Sequence, residues 1–295
     1  MQEKIIDIQS ELFLYFPWQN ACLIKKLEQH AVTFSLTPFR ILIVVSFLIV
    51  VMVSFEIVLF VFRVNTGRGL AKASEPFEIR VKEANRRVLV IGDSTGVGTG
   101  ASDSADSIAG RIARDYPGTE IVNLAQDGAK VEDIPAQLKD FRNGEFDLVL
   151  LQVGGNDIIR FTDLDRLNDS ITEVLRLSSD KGGKVIFMST GNVGLAPVFF
   201  PPVSWIYSWR TRKVRAMFMA VSHKEKVEYI DLFKERDEDP FLRDSATFYA
   251  ADTLHPGSEG YRLWYEELKR QSSIDMILGP KGIQKREKIW SPSLV

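Results

Sequence analysis

Three residues whose types can together activate a hydroxyl group lie at two distant places in the chain. Ser94 follows the apolar run 88–91 and a Gly-Asp dipeptide, whereas Asp252 and His255 lie three residues apart near the end of the chain. A serine hydroxyl becomes a strong nucleophile when a base removes its proton and a third group orients that base. A spacing of three residues lets a carboxylate return to an imidazole across a turn. The pattern therefore predicts Ser94 as a nucleophile, His255 as its base and Asp252 as the group that orients the base.

Donors suited to a negatively charged oxygen follow two further apolar runs. Residues 120–124 lead to Gly128, and residues 147–153 lead to Gly-Gly-Asn-Asp, whose asparagine is Asn156. Donors aimed at the developing charge are usually the largest single contribution to acyl-transfer catalysis. We therefore expect an oxyanion hole made by the backbone N–H groups of Ser94 and Gly128 and by the side chain of Asn156. Two neighbouring carboxylates are interpreted as stabilising their turns rather than acting in catalysis: Asp93 and Asp157.

Each of these patterns also has a simpler explanation. Ser94 alone is typical of a helix N-cap, and His255 alone is typical of a surface histidine. The glycines within residues 96–101 are close to the fingerprint that binds dinucleotide phosphates. They begin four residues after Gly92, however, and the next strand ends in Asn123 without an acidic residue for a ribose. The combination of all four segments favours catalysis over these alternatives.

The four segments resemble the blocks of the GDSL-type esterases, or SGNH hydrolases, in both order and content. The matching residues are Gly92-Asp-Ser94, Gly128, Gly154-Gly-Asn156-Asp157 and Asp252-Thr-Leu-His255. The resemblance covers roughly residues 86–272, and Thr95 departs from it where the family usually has Leu or Ile. It implies an esterase that needs no metal or organic cofactor.

Alternating apolar runs and helical segments predict the architecture of residues 86–272. Strands are expected near 87–91, 119–124, 147–153, 183–189 and 227–231, and helices near 104–115, 131–141, 163–180, 206–222 and 258–271. Crossovers of this length place helices on both faces of a parallel sheet. The prediction is a three-layer α/β/α flavodoxin-like sandwich with a five-stranded parallel sheet. The resemblance implies the strand order 2-1-3-4-5.

An apolar segment precedes this domain. Residues 41–62 are interrupted only by Ser46, Ser54 and Glu56, and they satisfy the ~20 residues that a transmembrane helix needs. The expected organisation is an amphipathic leader at 1–40, a transmembrane helix at 41–62, a linker at 63–85, the esterase domain at 86–272 and a tail at 273–295. The leader is either a loosely packed segment or an interfacial helix lying along a bilayer.

Signals for the side of the membrane conflict. Residues 21–40, before the span, hold three Lys or Arg residues, and residues 63–82, after it, hold five. Because Lys and Arg are enriched on the cytoplasmic side of a membrane, this difference favours a cytoplasmic domain. The family resemblance favours export, and we expect the domain on the periplasmic or extracellular face.

The formal net charge of −2 gives no global basic field for nucleic acid, and the single cysteine, Cys22, excludes an internal disulfide. The remaining histidines, His30 and His223, are expected to be solvated.

The function expected is a membrane-anchored serine esterase that hydrolyses a carboxylic ester or thioester of a lipid-like or short acyl substrate. The aromatic stretch 199–209 is a candidate acyl pocket, with the arginines that follow it meeting lipid head groups. Its alternative is a helix whose aromatic face packs on the sheet. Two other functions stay open: a deacetylase acting on a cell-envelope polysaccharide, and a catalytically silent membrane-bound binding or scaffold protein.

Overall fold

The computed structural model describes residues 37–280. The chain divides into two compact units, of which the first ends at Ile57 and the second begins at Val58. Predictions for most of the N-terminal leader, including His30, and for most of the C-terminal tail lie outside the described residues.

The first element is a single long helix, α1 (Pro38–Ala73). Proline suits the first turn of a helix, where its missing N–H is not needed, and the next proline, Pro76, follows the helix end. Residues 41–62 are all exposed except Glu56 and Leu59, which are half-buried. The helix is therefore long and apolar enough to cross a membrane. It also continues into the region predicted as a linker.

Five strands form one fully parallel sheet in the order β2-β1-β3-β4-β5, which confirms the predicted order. They are β1 (Arg86–Gly92), β2 (Thr119–Asn123), β3 (Phe146–Gln152), β4 (Gly182–Met188) and β5 (Glu228–Ile230). Their apolar, β-branched composition suits strands that are buried on both faces.

The helices that follow the strands cover both faces of the sheet. They are α2 (Ser94–Val97), α3 (Ile108–Asp115), α4 (Ile134–Leu138), α5 (Gly155–Ile159), α6 (Leu164–Lys181), α7 (Val203–Lys224), α8 (Pro240–Arg243), α9 (Ser245–Phe248), α10 (Ser258–Gln271) and α11 (Ile274–Leu278). Two predicted helices begin later than expected, because a 3₁₀ turn precedes each: Ser104–Asp106 before α3 and Val131–Asp133 before α4. Helix α4 also ends at Leu138, before the predicted end at 141.

Alternate residues of each strand enter separate apolar clusters. In β1, Leu89 and Ile91 pack with residues of α4, α6 and α7. Val88 and Val90 point to the other face and pack with residues of α3, α10 and α11. This alternation follows from the two-residue period of a strand. The sheet is thereby fixed between two helical layers, as predicted, and its carboxyl edge is left free for a site.

Candidate active site

Ser94 lies at the point where β1 turns into α2. The N-cap of α2 is Asp93, whose Oδ1 accepts hydrogen bonds from Thr95 N at 2.9 Å and Thr95 Oγ1 at 2.8 Å. Gly92 precedes it with φ +145°, and a Cβ there would lie 1.9 Å from the Gln152 carbonyl oxygen. The turn therefore requires glycine, the cap is Asp93, and the Ser94 hydroxyl is not needed to cap the helix.

The structure brings Ser94, His255 and Asp252 together, although 161 positions separate the serine from the histidine. His255 Nε2 lies 3.0 Å from Ser94 Oγ, and His255 Nδ1 lies 2.5 Å from Asp252 Oδ2. The other carboxylate oxygen, Asp252 Oδ1, accepts the backbone N–H groups of Leu254 and His255, each at 3.0 Å. The turn between the two residues therefore holds the carboxylate against the ring that it faces.

The electrostatics of the two aspartates at this site differ. Burial by itself would raise the pKa of Asp252, but hydrogen bonds from the His255 ring and the two backbone N–H groups outweigh it, and the net pKa is lowered. Burial raises the pKa of Asp93 from 3.8 to about 6, even though the hydrogen bonds from Thr95 oppose this. Asp252 is thus a carboxylate held in its charged form beside the imidazole.

Ser94, Gly128 and Asn156 line one cavity of about 540 Å³, together with His255. The backbone N–H groups of Ser94 and Gly128 have no hydrogen-bond acceptor among residues 37–280. Asn156 Nδ2 donates to the Ala129 carbonyl at 3.1 Å, which orients the amide. The structure therefore gathers the predicted oxyanion donors in the cavity, and their catalytic role stays a prediction. Asp157 accepts the Val131 N–H at 3.0 Å and fixes the turn after Gly128.

The glycines after Ser94 are packed against protein atoms. A Cβ on Gly96 would lie 2.7 Å from Ala125 Cβ, and one on Gly98 would lie 2.5 Å from Ser107 Cβ. A Cβ on Gly100 would lie 2.5 Å from the Pro256 carbonyl oxygen. Close packing against the neighbouring loops explains these glycines, and a phosphate cradle is not needed to account for them.

The aromatic stretch 199–209 does not line the cavity. Trp205 and Trp209 are 68% and 54% exposed, so they neither form an acyl pocket at Ser94 nor pack on the sheet. Tyr207 does pack inward, and the centroid of its ring lies 4.3 Å from that of Phe199.

Two of the arginines that follow this stretch form ion pairs within the protein. Arg212 pairs with Glu235, and Arg215 pairs with Asp231. These guanidinium groups therefore have protein partners in place of the expected lipid head groups. His223, in the last turn of α7, is exposed.

Among the cavity residues that sequence reasoning missed, three groups stand out. They are Thr190–Val193 after β4, Asp239–Phe241 at the start of α8, and Gly67, Arg68 and Ala71 on α1. The first group had a signal, because residues after any strand of a parallel sheet lie at its carboxyl edge. The other two come from segments whose placement depends on tertiary packing.

Comparison with known families identifies the chain as an α/β enzyme that hydrolyses ester bonds. The model of the GDSL-like lipase/acylhydrolase family matches residues 90–263, which is more than half of the chain. The chain belongs to this family. No curated protein sequence matches it significantly.

Several solved structures are similar to this chain at low sequence identity. A member of the lipolytic protein G-D-S-L family from Veillonella parvula DSM 2008 is 18% identical, with a TM-score of 0.50, over 62% of this chain and 96% of that one. An extracellular lipase from Streptomyces rimosus is 16% identical, with a TM-score of 0.49, over 63% and 100%. An acetylxylan esterase from Geobacillus stearothermophilus is 17% identical, with a TM-score of 0.45, over 69% and 98%. The Veillonella likeness supports the fold alone.

Proposed function

We propose that the protein is a membrane-anchored serine esterase in which Ser94, His255 and Asp252 form the catalytic triad. The observation that carries the proposal is the pair of hydrogen bonds that joins the three side chains, at 3.0 Å and 2.5 Å. A base that contacts the hydroxyl and is itself oriented by a carboxylate is the arrangement that activates serine.

In this mechanism, Ser94 Oγ attacks the carbonyl carbon of the ester or thioester while its proton passes to His255 Nε2. Asp252 stabilises the imidazolium that forms. His255 then returns the proton to the leaving oxygen or sulfur, and an acyl-enzyme remains on Ser94. A water molecule that gives its proton to His255 attacks this acyl group, and the acid is released as Ser94 is restored.

The negative charge of each tetrahedral intermediate falls on the former carbonyl oxygen. The N–H groups of Ser94 and Gly128 and the amide of Asn156 are the donors proposed to stabilise it. All three residues line the cavity, and the two backbone N–H groups are free of other protein acceptors within residues 37–280. Preorganised donors act here without reorganisation cost at the moment of reaction.

The cavity favours an apolar acyl group. Its volume of about 540 Å³ lies within the ~300–1,000 Å³ of small-molecule sites. Its apolar lining comes from several segments: Ile159, Val193, Leu232, Phe241 and Leu254. We therefore propose a lipid-like or short acyl ester as substrate, and turnover of an acetylated polysaccharide in preference to acyl esters would favour the deacetylase alternative.

Helix α1 supports the anchor. Its apolar stretch of 22 residues, 41–62, spans about 33 Å at 1.5 Å per residue, close to the ~30 Å hydrocarbon core of a bilayer. Exposed Leu, Ile, Val and Phe side chains on such a helix are stabilised by lipid and not by water. The domain is proposed to lie on the periplasmic or extracellular face.

The deciding experiment compares the full-length protein with Ser94→Ala in detergent, using p-nitrophenyl acetate and octanoate. We expect Ser94→Ala to abolish hydrolysis and labelling by a fluorophosphonate, and octanoate to be the better substrate. Ser179→Ala is the matched control, because its hydroxyl donates to the Leu175 carbonyl within α6 and it does not line the cavity. Full activity of Ser94→Ala would refute the mechanism, and a wild-type protein that is neither active nor labelled would favour the scaffold alternative.

The anchor and its orientation have their own test. Wild-type protein is expected in the membrane fraction after a high-salt wash. A phosphatase reporter that works only outside the cytoplasm should be active when fused to the C-terminus. Release by salt would contradict the anchor, and an inactive reporter on a stable fusion would contradict the orientation.

A further inference from the structure

The part of α1 that follows the apolar span packs against the hydrolase fold. From residue 63 onward its exposed surface gives way to half-buried positions at 63, 64, 66, 67, 70 and 71. A spacing of three and four residues identifies one face of a helix. This face belongs to the same compact unit as the triad, since that unit begins at Val58.

Two contacts attach this face near the triad. Arg63 Nη1 donates to the Pro197 carbonyl at 2.7 Å. The next residue, Val198, donates its N–H to the carbonyl of Thr253 at 3.3 Å, so the loop held by Arg63 is bonded to the turn that carries Asp252.

The second contact reaches the triad itself. A Cβ built on Gly67 would lie 2.9 Å from Asp252 Oδ2, 3.6 Å from Asp252 Cβ and 3.7 Å from Asp252 Cγ. This oxygen is the one that bonds His255 Nδ1, and Asp252 is only 2% exposed. The backbone of α1 at Gly67 therefore lies against the carboxylate and helps to exclude water from it. Gly67, Arg68 and Ala71 also line the cavity that contains Ser94.

We infer that the last turns of the anchor helix are a wall of the active site and that Gly67 is a positioning residue, which seats the Asp252 carboxylate against His255. The inference rests on the proposed function of the triad. Glycine is needed because the Cβ distance of 2.9 Å is about half an ångström short of the 3.4 Å at which ordinary contact begins. Any larger residue must displace the carboxylate or the helix, and either movement loosens the group that orients the base.

The chain provides a matched control two residues away. A Cβ on Gly69 would have no neighbour within 4 Å. Alanine in place of glycine favours a helix by ~1 kcal/mol at either position, so the two variants gain the same intrinsic helix propensity. They differ in whether the new methyl group meets Asp252.

The test measures kcat, KM, the rate of fluorophosphonate labelling and the melting temperature of full-length Gly67→Ala and Gly69→Ala in detergent. Misplacement of a catalytic group by 1 Å can lower the reaction rate by about 10²-fold. We therefore expect both the kcat and the labelling rate of Gly67→Ala to fall by about tenfold to 10²-fold. Its KM should stay near that of the wild type, both variants should show a folding transition, and Gly69→Ala should match the wild type in kcat, KM and labelling rate.

A second variant covers the case in which Gly67→Ala shows no folding transition. Arg63→Ala removes the hydrogen bond to Pro197 without adding an atom near Asp252, and we expect kcat to fall about threefold or more. Equal kcat and labelling rates for Gly67→Ala and Gly69→Ala would overturn the inference. If Gly67→Ala does not fold, a folded Arg63→Ala with the kcat of the wild type would overturn it instead. If Ser94→Ala is also active, the proposed function fails; if Ser94→Ala is inactive, only the role of Gly67 fails.

Discussion

Replacing Asp252 with asparagine tests the triad with the smallest change of shape. Asp252 Oδ1 accepts the N–H groups of Leu254 and His255, both at 3.0 Å, and Oδ2 faces His255 Nδ1. The amide oxygen must therefore occupy the Oδ1 position, because an NH₂ group there would face two donors. The NH₂ group is left facing Nδ1 and donates to it. His255 then carries its proton on Nε2, the nitrogen that faces Ser94, and it has no lone pair there to accept the hydroxyl proton.

This reversal of the tautomer sets the expected magnitude. A triad whose histidine is locked in the wrong tautomer loses about 10⁴ in kcat. At 1.36 kcal/mol for each factor of ten, the loss corresponds to about 5 kcal/mol of transition-state stabilisation. The fold should be retained, because the amide oxygen keeps both backbone hydrogen bonds. Hydrolysis of p-nitrophenyl octanoate by the full-length variant in detergent, with its melting temperature, measures both effects.

Asp163→Asn provides the matched control. Asp163 Oδ1 also accepts two backbone N–H groups, from Asp165 at 3.1 Å and Arg166 at 3.0 Å, but it caps α6 and bonds no imidazole within residues 37–280. We expect its kcat to equal that of the wild type. A kcat for Asp252→Asn within tenfold of the wild type, with the fold intact, would show that the carboxylate does not orient the base.

Three further predictions address the oxyanion donors, a buried acid and the exposed aromatic surface. Asn156→Ala should lose about 10²–10³ in kcat with little change in KM, and Asn168→Ala, outside the cavity, should lose nothing. Because the folded-state pKa of Asp93 is raised from 3.8 to about 6, its contribution to stability is complete below pH 3.8 and is lost as pH rises through 6. Above pH 6, the melting temperature of Asp93→Asn should therefore rise relative to that of the wild type. A difference between the two melting temperatures that does not change with pH would contradict this. Trp209→Ala should keep kcat on a soluble ester within about twofold, because the side chain is exposed and outside the cavity, and a larger loss would give it a role at the site.

The sheet was predictable because burial on both faces leaves a direct trace in the sequence. Leu148 to Leu151 are buried and apolar at every position, and such a run is typical of a central parallel strand. The site followed for a related reason. Polar and glycine residues directly after buried strands must lie at the carboxyl edge, so the positions of Ser94, Gly128 and Asn156 along the chain predicted that they lie together, and all three line one cavity.

The aromatic stretch was misjudged because a sequence pattern does not say which way a helix faces. Trp205 and Trp209 share one face of α7, but α7 packs on the sheet through Val214, Phe218 and Val221. The tryptophans are left exposed as a result. The contact between Gly67 and Asp252 left no trace in the sequence, since it joins two segments 185 positions apart through an absent side chain.

Residues 58–85 show why the second compact unit begins well before its first strand. Ile79 forms an antiparallel bridge to Ile121, and Glu78 accepts the N–H of Asn123 at 3.1 Å, so this segment occupies the outer edge of β2. An uncovered strand edge presents unpaired backbone groups that favour aggregation. The same segment carries Gly67, which covers Asp252. A domain cut at residue 86 would therefore expose both the edge of the sheet and the triad carboxylate. Residues 63–85, which the sequence predicts as a linker, thus belong to the same compact unit as Asp252.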